Sequence, residues 1–216
     1  MEFTMTSKRI IQILVGLILT IVVGSLPFPI WDNEFADTAH LVGNEFIYWT
    51  LVAATLAYVI GVERKTLCSI GFRKPALRDG LAALAVAVAT VAGLAAIYFV
   101  LFPALHVNED QQIDKLMSTP AWWLAISVVR AGVSEEVLFR GYAVERLLEL
   151  SGSKWVAFIV PLVPFTLAHV GPWGWSHAIV AAFGGAMLAG LYLWRRNLWV
   201  SIFAHCLIDG IGVLAG

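Results

Sequence analysis

Long apolar stretches separated by short polar segments leave this chain few ways to fold. They run Ile10–Leu26, Phe46–Val62, Leu81–Phe102, Trp122 to about Leu148, Trp155–Val170, His177–Trp194 and Leu198–Leu214. A helix that crosses a bilayer needs ~20 mostly apolar residues. Of the 216 residues, 60% are hydrophobic and 13% charged, against roughly 25% charged in a soluble domain. The expected fold is all-α: one integral membrane domain over residues 1–216, a helical bundle of about seven transmembrane helices. Pro161 and Pro164 should kink or shorten the fifth. Lys8 and Arg9 before the apolar Ile10–Leu26, with Val23-Gly24-Ser25 as the candidate cleavage site, resemble a signal peptide. Because many spans follow, that stretch is read as an uncleaved first helix.

Charges sort between alternate loops. One set holds Lys8 and Arg9, then Arg64, Lys65, Arg73, Lys74 and Arg78, then Arg140, Arg146 and Lys154, then Arg195 and Arg196. The other holds Asp32, Glu34, Asp37 and Glu45, then Glu109, Asp110 and Asp114 with the single base Lys115. The positive-inside rule puts the N-terminus in the cytoplasm and the C-terminus outside a multi-pass cell-membrane protein. A net charge of −1 gives no reason to expect nucleic acid as a partner. Cys68 and Cys206 are too few and too far apart for a disulfide framework. Trp31, Trp49, Trp122, Trp123, Trp173, Trp175, Trp194 and Trp199 lie near span ends, as an aromatic belt would. Ala181/Gly185/Ala189 and Ala186/Gly190 offer close-packing faces on the sixth span.

Against this background a few ionisable groups stand out. They are Arg130, Glu135, Glu136 and Arg140 on the fourth span, His169 on the fifth, and His205 with Asp209 on the seventh. Each costs roughly 2.5 to 3.5 kcal/mol at the centre of a span unless paired or hydrated. Glu136 and Arg140, four apart, share a helix face and can pair. Glu135 and Glu136 are ~100° apart about the axis and should face different surroundings. His205 and Asp209, also four apart, share a face. At ~1.5 Å per residue, His205 lies about 13 Å past Arg196, His169 about 22 Å past Lys154, and Glu135 about 22 Å before Leu150. Those depths agree to several Å and allow the groups to meet. A carboxylate in an apolar cavity can act as general base on a water. Nearby histidines can orient that water or donate to an oxyanion. The same donors could also hold a divalent metal. Hydrolysis is the reaction class in either case.

The motifs carry a resemblance. "EEVLFR" (Glu135 to Arg140) matches EExxxR, "FTLAH" (Phe165 to His169) matches FxxxH, and "HCLID" (His205 to Asp209) matches HxxxN/D. In this order on successive late spans, they resemble the CPBP (CAAX protease and bacteriocin-processing, Abi) family of intramembrane proteases, related to the CAAX prenyl endopeptidase Rce1. The resemblance covers about Trp122 to Gly216, so residues 122–216 would carry the catalytic motifs. It implies that Glu135 activates water and that Glu136 pairs with Arg140 as structural support. It further implies that His169 helps hold the water, and that His205 with the residue at 209 stabilises the oxyanion. That last position is often Asn in the prenyl-endopeptidase branch; here it is Asp209, which when ionised cannot donate a hydrogen bond. Three roles stay open for it: a protonated donor, a partner that sets the His205 tautomer, or a metal ligand. The family has been described both as metalloproteases and as metal-independent glutamate proteases. The cofactor is therefore either none or a divalent metal such as zinc at Glu135, His169, His205 and Asp209.

Other polar residues read more plainly. His40 and His106 belong to outer loops and solvent. His177 opens the sixth span at an interfacial position, and Phe165 is packing rather than chemistry. Cys206 points away from His205, which argues against a nucleophilic pair. Arg130 either pairs structurally or meets a substrate carboxylate. The resulting expectation is an intramembrane endopeptidase acting on a peptide or protein substrate, prenylated or not, in contact with lipid. The rivals are a proton-coupled transporter and a non-catalytic immunity or scaffold protein; the transporter lacks support from an inverted repeat or paired broken helices.

The loop charges make the orientation testable. Cysteines placed at Asp37 or Asp110 should react with an impermeant thiol reagent in intact cells, whereas Cys68 should react only after lysis. Labelling of Cys68 in intact cells would invert the assignment.

Overall fold

The computed structural model of the protein describes residues 5–26, 38–107 and 119–215. Seven long helices follow the seven apolar stretches. Helix α1 (Ser7–Leu17) continues through a π-turn (Ile18–Val22) and a 3-10 turn (Val23–Ser25), and α2 (Thr38–Ala57) through a π-turn (Tyr58–Val62). Helix α3 (Leu77–Ala96) is extended by the π-turn Ile97–Leu101. Helix α4 has three parts: α-helical Ala121–Glu135, π-helical Glu136–Val144 and α-helical Glu145–Ser151. Then come α5 (Lys154–Ala168), α6 (His177–Arg195) and α7 (Leu198–Ala215). No strand occurs among the described residues. Trp31, the acidic residues Asp32, Glu34 and Asp37, and the segment with Glu109, Asp110, Asp114 and Lys115 lie outside them.

Five spans, Ser7–Ser25, Glu45–Val62, Leu77–Ala104, Lys154–Trp173 and His177–Arg195, are long and apolar enough to cross a membrane by length and composition, and Leu198–Leu214 is a shorter apolar helix. Helix α4 does not qualify because ionisable residues run along it. It lies instead at the centre of the bundle, where every residue of its π-helical part is buried. Its neighbours reach it on all sides. The Tyr142 ring fills the groove left by Gly16 of α1, where an added Cβ would fall 1.7 Å from the phenolic oxygen. Phe139 meets Phe165 of α5 with ring centroids 5.3 Å apart, and Gly132 lets Cys206 of α7 approach closely.

The two prolines do not break α5, which runs unbroken through both to Ala168. A proline removes one backbone donor, and neighbouring helices in a membrane bundle can accommodate the freed carbonyl. The break between α4 and α5 lies earlier. Gly152 closes α4 at φ +66°, and the Ser153 side chain caps α5 by accepting from the Val156 N–H at 3.3 Å. Of the two small-residue faces on α6, Ala181, Gly185 and Ala189 are buried, and Gly185 sits against Leu162 and Phe165 of α5. Gly190 faces open space. Helix α3 packs through Ala83 and Ala87 in a cluster with Leu188 of α6 and Ala204 of α7. Trp155, Trp175, Trp194 and Trp122 are exposed, whereas Trp123 is buried inside the bundle. Both cysteines are free.

At the end of the bundle that carries Lys8 and Arg9, five basic side chains, Arg9, Lys65, Arg146, Arg195 and Arg196, are tied to carboxylates. Buried Glu63 accepts from Arg146 (Nη2 at 2.5 Å), from the Tyr142 hydroxyl (2.9 Å) and from Arg9 (3.1 Å), joining α2, α4 and α1. Asp79 binds Arg195 at 2.6 Å, and Glu145 binds both Arg196 and the Tyr192 hydroxyl. Glu149, past the apolar stretch of α4, accepts two bonds from Arg9 (2.6 and 2.8 Å) and lies 3.2 Å from Lys65. The Arg9 hydrogen bonds, then the Arg9 charge and Lys65, hold its carboxyl down to about 2, against an ordinary 4.5.

Because the folded state depresses this carboxyl, its stabilising contribution is complete above about 4.5 and disappears as pH falls toward about 2. Thermal unfolding followed against pH should therefore show a shallower acid limb in that window for Glu149→Gln than for the wild type. Superimposable acid limbs would remove Glu149 from the account.

Candidate active site

The centre of the bundle is organised around one change of helix type. Glu135 ends the α-helical part of α4 and Glu136 begins the π-helical part. In a π-helix each N–H reaches the carbonyl five residues back, so successive side chains turn less about the axis than in an α-helix. Glu135 and Glu136 differ in exposure, yet both lie beside His205 of α7. Glu136 Oε1 lies 2.9 Å from His205 Nδ1, and Glu135 Oε2 lies 3.9 Å from His205 Nε2. Asp209, one turn along α7, stands 3.3 Å from the same Nε2. Carboxylates accept and do not donate, so both ring nitrogens must carry hydrogen for His205 to bond Glu136 and Asp209 together.

Glu136 is fully buried and also braces its own helix. Its Oε1 is 3.0 Å from Arg140 Nη1, and Arg140 donates from Nη2 to the Gly185 carbonyl at 3.1 Å. The Arg140 guanidinium lies 4.3 Å over the Phe165 ring. Three carboxylates, Glu135, Glu136 and Asp209, thus surround one histidine with one arginine behind it. Access differs among them. The Glu136 side chain is 0% exposed, Glu135 18% and Asp209 35%, so the site opens from the Glu136 floor toward Glu135 and Asp209.

His169 sits apart from this group. It follows α5, and its Nδ1 lies 2.7 Å from the Phe165 carbonyl. A carbonyl only accepts, so Nδ1 carries the hydrogen and the lone pair of the neutral ring is on Nε2. Among the described residues no ion pair or hydrogen bond joins His169 to Glu135, His205 or Asp209. Its ring packs on Phe165 (4.6 Å) and lies nearly parallel to that of His177 (6.2 Å, 17°). Arg130 pairs with Glu45 of α2 at 3.0 Å and covers the Tyr48 ring at 4.4 Å. Cys206 lies toward the Val128 carbonyl, 3.8 Å away. His106 is exposed; the His40 side chain lies outside the described residues.

Zinc needs donors at ~2.0 to 2.3 Å on several sides. Among the described residues no three His, Cys, Asp or Glu side chains converge closely enough to hold a metal ion. With His169 apart from the other three, the set named for zinc does not close into a cage, and the donor geometry does not fit that group.

Three features escape a reading by spacing. The contact of Glu136 with His205 depends on how α4 and α7 pack. Phe165 links the Arg140 guanidinium to His169 and is more than filler. His177 adjoins the site through a turn that no periodicity describes.

Residues 117–211 match the family model described as Rce1-like, type II CAAX prenyl endopeptidase Rce1-like. The matched segment contains all six residues of the three motifs named for catalysis and support. No curated protein and no solved structure matches the chain.

Replacing Glu136 by Gln keeps the shape and removes the charge that neutralises Arg140. Breaking a buried ion pair from one side costs about 3 to 5 kcal/mol. Glu136→Gln should therefore lower the thermal unfolding temperature and the yield of folded protein. An unchanged melting curve would mean that Arg140 is neutralised elsewhere.

Proposed function

On the Rce1-like domain of type II CAAX prenyl endopeptidases over residues 117–211, we propose that the protein is an intramembrane endopeptidase that hydrolyses a peptide bond in or beside the bilayer with a glutamate-activated water. At family level the match supports a CAAX-protease-like membrane protease. The residue roles, the substrate and the orientation, N-terminus cytoplasmic and C-terminus outside, are part of the proposal.

The observation that carries the mechanism is the spacing of Glu135 and His205. At 3.9 Å the carboxylate and the ring nitrogen are too far apart to bond directly. One water about 2.8 Å from each fits at the apex between them. In this reading Glu135 takes a proton from that water as its oxygen attacks the substrate carbonyl carbon. On attack the single Nε2–H of His205 turns from Asp209 to the oxyanion, while Glu136 on Nδ1 and the nearby Asp209 charge stabilise the protonated ring. Collapse of the tetrahedral intermediate breaks the C–N bond, and Glu135 returns its proton to the leaving amine. Asp209 acts here as an acceptor, which suits a carboxylate where an asparagine would donate. His169, with its Nε2 lone pair free, accepts from the attacking water or its successor once substrate has closed the site.

The substrate is a peptide or protein segment that can approach within the membrane. The semi-exposed Glu135 and Asp209 are its points of contact, and a prenyl group would lie along the apolar exterior of the bundle.

Purified protein tested on a quenched peptide library with a prenylated member, with and without chelator, should show turnover that Glu135→Gln abolishes. The variant should keep wild-type insertion and melting. Near-wild-type turnover in Glu135→Gln would show that another group activates the water.

A further inference from the structure

The turn between α5 and α6 builds a stack of rings that ends on His169. The short helix Val170–Trp173 is followed by Gly174, whose φ of +86° lets the chain reverse and begin α6 at His177. This brings Trp173 against His177 with ring centroids 5.3 Å apart and planes 25° apart. His177 in turn lies 6.2 Å from His169 at 17°, and Phe165 packs on the same imidazole at 4.6 Å. Those separations lie within the ~4.5 to 7 Å of offset aromatic pairs. The Asp209 carboxylate is within electrostatic range of His177, which puts the stack beside the end of α7 that carries the site.

His169 needs such a support. Its single hydrogen bond, Nδ1 to the Phe165 carbonyl, sets the direction of one ring nitrogen. The imidazole can still swing about that bond and carry Nε2 through an arc. The neighbouring rings of Phe165 and His177 restrict that swing. We propose that His177, backed by Trp173, is a positioning residue that holds the His169 imidazole with Nε2 toward the catalytic water. The proposal rests on the roles given to Glu135 and His169 above. His177 touches neither water nor substrate. It acts through His169, and what it contributes is a flat ring rather than a proton.

That distinction sets the test, made on the whole protein in lipid nanodiscs with two readouts, peptide turnover and the nitrogen resonances of His169. His177→Ala should lower kcat about ten- to a hundredfold, the scale of a small misplacement in a catalytic constellation, with KM little changed. It should also replace the single Nδ1–H form of His169 by exchange between tautomers. His177→Phe keeps a flat ring and should retain kcat within about threefold and the single His169 form. Wild-type kcat in His177→Ala would overturn the proposal, as would a folded His177→Phe as slow as the alanine variant. If His177→Ala does not fold, the phenylalanine variant alone decides by the same criteria. Turnover in Glu135→Gln would move the role of base to another group, and a wild type without turnover would sink the proteolytic reading; in either case the His169 resonances of the two His177 variants would still decide whether the stack holds the ring.

Discussion

The buried carboxylate of Glu136 is the contact on which the centre of this protein depends. It is fully enclosed, and it holds Arg140 on its own helix and His205 on α7 with the same oxygen. An arginine in a bundle of this kind is costly without a counter-charge. The pair therefore removes a penalty rather than supplying a large net gain. What it adds is position. Arg140 is fixed between Glu136, the Gly185 carbonyl and the Phe165 ring, so α4, α5 and α6 meet at one guanidinium, and α7 joins through His205 on Glu136. His205 is then presented with one nitrogen on the floor of the site and the other toward Glu135 and Asp209.

The rest of the bundle shields that centre at one end and leaves it accessible at the other. Glu63, Asp79, Glu145 and Glu149 bind Arg9, Lys65, Arg146, Arg195 and Arg196 across five helices. The interior members of this clasp are dry: the Glu63 side chain is 0% exposed and that of Arg146 2%. Exposed pairs of this type contribute little, but linked and partly buried ones fix helix register. The same basic residues that point to an inward-facing end thus also lock α1, α2 and α4 together. Glu135 and Asp209 lie beyond this clasp, where the side chains regain exposure.

Much of the fold was legible before any coordinates. Seven apolar stretches became seven helices with ends shifted by a few residues, because the cost of placing a side chain in hydrocarbon accrues residue by residue along the chain. The pairing of Glu136 with Arg140 could be suggested from their i, i+4 spacing, a local property of one helix. The meeting of Glu135 and Glu136 on one histidine could not. It follows from how α4 and α7 are placed against each other, and no hydropathy pattern encodes that placement. The unbroken path of α5 through Pro161 and Pro164 was equally hidden, since neighbouring helices decide whether proline ends a helix.

By itself, then, the amino-acid sequence determined the membrane class, the number and order of the helices, and which ionisable groups had to find partners inside them. Tertiary structure decided which partners they found. It put Glu136 beneath His205, Arg130 on Glu45, and His177 against His169. The physical reason is that transfer of a side chain into an apolar medium depends on that side chain alone. An ion pair or ring stack between helices depends on the relative depth and rotation of both, and only packing sets those.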